Sequence, residues 1–156
     1  MNIKKKTHTP LKQLNGYGCG VYAVMNVSRY DGSRIYKHSD FKIQAITLHT
    51  DTFFGTAERD IVVHLRVLGG YKVTISTKLN LKKATKHLQN GGQIIVLYVS
   101  NPEENEEHYC NIFKITKKYC YGANFYKKDN TYQHKVTTYW LKQQEIVKVF
   151  YIRRQK

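Results

Sequence analysis

A cysteine between two glycines, Gly18-Cys19-Gly20, directly precedes a run in which Val21, Val24, Met25 and Ser28 fall at helical spacing on one face. A thiol in that position can serve as a nucleophile. The positive end of the helix dipole favours thiolate over thiol, and glycines on either side leave room for another backbone to approach the sulfur. Gln13, upstream of the cysteine, can return an amide N–H to the same spot as an oxyanion donor. Taken alone, Cys19 also reads as a small buried hydrophobe at a helix start, the commoner lot of a free cysteine.

A thiol nucleophile needs a base, and the base needs an acceptor to orient it. Among the histidines, His108 stands where the polar loop 101–107 enters a strand, which predicts a ring at a sheet edge. His8, His38, His49, His64, His87 and His134 lie in segments without that setting. Asn124, near the end of the second strand of a hairpin, can accept the imidazole N–H and fix its tautomer, although it cannot stabilise imidazolium by charge. Asp129 is the other candidate orienter. Side chains alternate along a strand, so a simple turn at Lys117-Lys118 would place His108 and Asn124 on opposite faces; the connection must be longer, or a bulge must re-aim one of them. Cys110 and Cys120 are expected to pack in the sheet. A zinc site from His108, Cys110 and Cys120 is disfavoured, because there is no Cys-x-x-Cys pair and no fourth ligand at usual spacing. No metal or organic cofactor is expected.

Gln13, then Cys19-Gly20 opening an apolar helix that ends in Tyr30-Asp31-Gly32, then His108-Tyr109 on a later strand, resembles the papain-like cysteine peptidases. Within them the pattern is similar to the double-glycine leader peptidases that process bacteriocins. The resemblance covers the chain from Gln13 to about Asn124. It implies a papain-like α+β fold, N-terminal helices packed on a C-terminal antiparallel β-sheet, and peptide-bond hydrolysis through a Cys19 thioester. His108 would take and return the proton, Asn124 would orient it, and Gln13 with the Cys19 N–H would hold the oxyanion. Tyr17, Gly18, Gly20 and Tyr109 would line the cleft for an extended peptide with small residues before the cut. The chain departs from the leader peptidases at Asn124, where they carry Asp followed by Pro; papain-like enzymes more broadly use Asn. The same thioester would serve acyl or peptidyl transfer. The departure at Asn124 and the high charge also suit a non-catalytic scaffold that binds a protein or nucleic acid.

The elements that must position these groups are readable in outline. Residues 1–12 form a basic, extended lead-in, and the cysteine helix runs from about 19 to 29. A second helix is predicted with Thr56 as N-cap and Gly69-Gly70 as stop, a strand over 71–75, and a helix capped by Asn80. Residues 93–99 are nearly all apolar, which predicts a central strand. Strands over 108–116, 119–126, 131–138 and 146–153 follow, giving helices first and an antiparallel sheet second. Residues 35–52 give no clear pattern.

At 156 residues and 41% hydrophobic, the chain fits a single domain, 1–156. The net charge of +15, from 26 Lys+Arg against 11 Asp+Glu, brings non-specific association with polyanions at low salt. The basic residues are spread along the chain without an RNA-binding motif. Richness in Lys, Asn, Ile and Tyr together is what AT-rich coding produces, as in a phage, a virus or a low-GC bacterium. The basic Met1–Lys6 start is followed by polar residues rather than an apolar signal core, and no run reaches membrane-span length. Three cysteines give no disulfide framework. The expectation is a reduced, cytoplasmic protein whose thiol is free to work on peptide substrates.

Overall fold

The computed structural model describes residues 8–127 and 131–155, so Asp129 lies outside the described residues. Helix α1 (Cys19–Asp31) begins at the cysteine itself and stops at Gly32, whose φ of 73° lets its N–H return to the Arg29 carbonyl. All of its residues from Gly20 to Ser28 are buried. It packs on β3 and against α2 (Phe41–Thr47), and the same apolar layer takes in Ile61 of α3 (Glu58–Val63), which continues as a wider π-helical turn over His64–Leu68 that packs on β1.

Six antiparallel strands follow: β1 (Tyr71–Ser76), β2 (Gln93–Asn101), β3 (Glu106–Ile115), β4 (Tyr119–Lys127), β5 (Thr131–Thr137) and β6 (Ile146–Arg154). They lie in the order β1-β6-β2-β3-β4-β5, with the last strand inserted between the first two. Helix α4 (Leu81–Gln89), capped by the Asn80 side chain, and α5 (Thr138–Lys142) contribute to the apolar layer on the face opposite α1. This explains the apolar run in β2. Ile95 and Leu97 pack toward α1, whereas Ile94, Val96 and Tyr98 pack into the other layer with Cys110, Cys120 and Phe125. Each such burial contributes roughly 1.5–3 kcal/mol. Among the described residues, no helix is long and apolar enough to cross a membrane.

One local expectation is corrected. Thr56 is not an N-cap: α3 starts at Glu58 with Ala57 at the cap, while the Thr56 hydroxyl shares a hydrogen bond with that of Thr50 (2.7 Å) and its carbonyl accepts from Tyr109 Oη. The described part of the extended lead-in is held against the core as a strap. Leu11 is clamped by Asn26, which accepts from its N–H (2.7 Å) and donates to its carbonyl (3.1 Å), and Arg29 donates to the Thr9 carbonyl.

The hairpin β3–β4 contains a bulge. Its turn is the short one, Thr116 N–H bonding the Tyr119 carbonyl around Lys117-Lys118. Ile112 pairs with Gly122 but Lys114 with Tyr121, so Phe113 is the extra residue, and its ring stacks on Tyr30 at 4.1 Å. Beyond the bulge, residues of equal parity oppose one another, Ile112 with Gly122 and Asn111 with Ala123, but the ladder ends there, and the Asn124 side chain turns to Gln13 and Leu11 rather than to His108. A second irregularity on β4, between its pairings with β5 at Tyr121 and Phe125, contains Asn124 at φ 61°. Gly122 permits this crowding, because a Cβ there would collide with the Asn111 carbonyl oxygen. Gly122→Ala should therefore destabilise the protein by at least about 2 kcal/mol in chemical denaturation; a loss under about 0.5 kcal/mol would mean that the two strands can separate without cost.

Candidate active site

The sulfur of Cys19 sits at the first turn of α1, half-buried, with backbone N–H groups of Tyr109, Gly20 and Cys19 itself directed at it. Tyr109 lies beyond the point where the β3–β4 ladder begins at Asn111 and Ala123, so its N–H can serve the sulfur. These donors favour the thiolate. Burial outweighs them and pushes the thiol above its ordinary range. The helix start alone does not produce the activated thiolate expected from the sequence.

His108 is the third residue of β3, and its ring is buried rather than exposed at an edge. It lies among Tyr98, Tyr126 and Tyr132, with ring centroids at 5.6–5.8 Å. Burial lowers its pKa to about 4, opposed by one hydrogen bond, from Nε2 to the backbone carbonyl of Asn124 at 2.6 Å. A carbonyl can only accept, so the proton resides on Nε2 and Nδ1 carries the lone pair. The group that orients His108 thus belongs to Asn124, but it is the main chain. The Asn124 side chain is engaged elsewhere, its Oδ1 accepting from Gln13 N–H (2.8 Å) and its Nδ2 donating to the Leu11 carbonyl (2.9 Å). This corrects the side-chain role expected for Asn124.

Gln13 is buried beside this strap, and its amide N–H groups already meet the Asn15 carbonyl and Tyr132 Oη (3.3 Å). As an oxyanion donor it would first have to leave those partners. The space beside the two glycines is also filled: a Cβ at Gly18 would strike Asn15 and the Phe41 ring, and one at Gly20 would strike Thr56. They are packing positions rather than cleft walls. Tyr17 and Tyr109 do line a groove, of about 1190 Å³, and so do Cys19 and His108.

The rest of that groove was not foreseen. One wall carries Glu104, Glu106 and Glu107, and another carries Phe53 and Phe54, about 90% exposed at the tip of a small loop held by Asp51. Burial first, then the charges of Cys19, Glu58, Glu107 and Asp60, raise the Tyr109 hydroxyl above the usual tyrosine range. A chain of net charge +15 thus concentrates carboxylates around this opening. Tyr126 and Tyr132, which also line it, looked like ordinary strand residues because their placement depends on the bulge in β4.

No protein-family model matches the chain, and no curated protein matches it. Solved structures do. The peptidase domain of Streptococcus ComA, a bi-functional ABC transporter involved in a quorum-sensing pathway, superposes with a TM-score of 0.70 at 12% identity, over 93% of this chain and 97% of that one. A double-glycine-motif protease from an AMS/PCAT transporter, solved in complex with the leader peptide, gives 0.67 at 12% identity, over 98% and 96%. A C39-like peptidase from Bacillus anthracis gives 0.61 at 14%, over 94% of each chain. The chain has the papain-like fold of double-glycine peptidase domains.

Two outcomes follow from the geometry. Because Leu11 needs a donor at Asn124, Asn124→Asp should cost about 3 kcal/mol at pH 7 in denaturant unfolding, by setting a carboxylate against that carbonyl. A neutral effect would mean that the strap is not held there. The folded pKa of His108, about 4, lies below its ordinary 6.5, so between these values the unfolded chain binds the extra proton. Its contribution to stability is complete above pH 6.5 and is lost as the pH falls toward 4, on the order of 3 kcal/mol. His64, His87 and His134, also lowered chiefly by burial, act with the same sign. His108→Gln should flatten this acid slope in unfolding curves, and an unchanged slope would assign it to the other histidines.

Proposed function

We propose that the protein is a cysteine peptidase that cleaves a peptide bond through a Cys19 thioester, with His108 as general base. The observation that carries this is the tautomer: Cys19 and His108 line one groove, and the Asn124 carbonyl holds the imidazole proton on Nε2, leaving Nδ1 to accept. Burial raises the thiol and lowers the imidazole, so the resting pair is thiol and neutral imidazole rather than thiolate and imidazolium. The proton therefore moves from sulfur to Nδ1 as the sulfur attacks the carbonyl, and returns to the leaving amine. Water then hydrolyses the thioester by the same route. The Cys19 N–H, at the start of α1, is the nearest available donor for the oxyanion; Gln13 joins it only after releasing Asn15 and Tyr132.

The substrate fitting this groove is an extended peptide. The solved complex of the double-glycine-motif protease contains a leader peptide, which supports a peptide as ligand. The carboxylate wall favours lysine or arginine near the cut and disfavours a polyanion at this opening. A second reading, a papain-like scaffold that binds without cleaving, is favoured by the occupied amide of Gln13.

Incubation with a peptide library and mass spectrometry of the products decides between the two. Cys19→Ala should abolish cleavage and His108→Gln should reduce kcat by at least about 10³-fold, a loss in the range seen when a nucleophile's base is removed. Proton transfer during attack should give a normal solvent deuterium isotope effect on kcat/KM. Glu104→Gln with Glu107→Gln should raise KM for basic peptides more than for neutral ones. Binding of peptides that survives Cys19→Ala, with no product from the wild type, would favour the scaffold.

A further inference from the structure

Asn124 holds His108 through its carbonyl, and its own N–H is held in turn. It donates to Nδ1 of His134 on β5, at 3.2 Å. A backbone N–H can only donate, so Nδ1 of His134 must be bare. Its environment suits that state, since burial and the nearby Lys12 both disfavour a proton on it. The residue between the two rings sits at φ 61°, a conformation that a non-glycine residue keeps only when its surroundings over-determine it. Those surroundings are four hydrogen bonds: the side chain to Leu11 and Gln13, the carbonyl to His108 and the N–H to His134. Three tie Asn124 to the strap or to the catalytic ring. Among the described residues, the bond to His134 is the one that ties it to β5, across the gap where β4–β5 pairing lapses between Tyr121 and Phe125.

We propose that His134 is a positioning residue: by accepting the Asn124 N–H it fixes the turn that aims the Asn124 carbonyl at Nε2 of His108. This rests on the reading of His108 as the general base. Loss of the acceptor lets residues 122–125 relax toward regular pairing with β5, which swings the carbonyl away and releases the His108 tautomer. Asparagine is the conservative replacement, because its amide oxygen takes the place of imidazole Nδ1.

The experiment compares wild type, His134→Asn and His134→Ala by long-range 15N–1H spectra of the imidazoles, alongside kcat and KM on a cleaved peptide. In wild type and His134→Asn, His108 should show the pure Nε2–H pattern; in His134→Ala it should show a tautomer mixture. On the substrate, His134→Ala should lose about 10²-fold in kcat, the scale of a misplaced catalytic group, with KM within about twofold, and His134→Asn should recover most of it. A pure Nε2–H pattern in His134→Ala, or equal loss in His134→Asn, would overturn the proposal. Should His134→Ala fail to fold, His134→Gln, whose acceptor lies one methylene further out, makes the same comparison. If wild type cleaves no peptide, the peptidase reading fails while the tautomer comparison still decides the role of His134.

Discussion

The left-handed turn at Asn124 is the constraint around which the site is built. An asparagine tolerates φ near 61° better than most residues, but the conformation still costs free energy, and four hydrogen bonds to three parts of the chain offset it. Through them one residue fixes the strap at Leu11 and Gln13, the tautomer of His108, and the local departure of β4 from β5. The chemistry of the side chain follows from this. It must donate to one carbonyl and accept from one N–H at once, which an amide can do and a carboxylate cannot. Asparagine here is a structural requirement.

The electrostatics follow from burial. An ion pair of thiolate and imidazolium would have to recover several kcal/mol of desolvation for each charge. The N–H groups at Cys19 and the single carbonyl at His108 do not recover it. A neutral pair with the imidazole proton held in place is therefore the resting state. The groove outside is polar and acidic, so the charge of the protein as a whole says little about what enters it. The +15 net charge is carried by residues spread along the whole chain, while Glu104, Glu106 and Glu107 face the opening.

Much of the fold was legible. The cysteine helix, the Asn80 cap, the apolar β2 and the strand succession follow from periodicity and turn residues, which are local signals. The parity argument pointed to a longer turn or a bulge between His108 and Asn124; Phe113 forms a bulge, yet the Asn124 side chain still turns to the strap and only its carbonyl reaches His108. What was not legible depends on contacts distant in sequence. Nothing local tells that β6 inserts between β1 and β2, that Thr56 serves Thr50 and Tyr109 instead of a helix, or that Gly18 and Gly20 are filled in by Asn15, Phe41 and Thr56. In the site, residue types pointed to Cys19, His108 and Asn124 as a group. They could not show that Asn124 uses its carbonyl for His108 and its side chain for the strap. His134 read as one of six histidines without the setting of His108 until its partner was seen to be the Asn124 N–H.

The central claim is that Cys19 and His108 act together as nucleophile and base on a peptide. Acid-quenched mass spectrometry of the intact protein, taken during turnover of a cleaved library peptide, tests it most directly. The account predicts an acyl adduct on Cys19 in the wild type, carrying the N-terminal part of the peptide, and none in His108→Gln or Cys19→Ala. Peptide cleavage that persists in Cys19→Ala, or an adduct that forms equally well without His108, would contradict it.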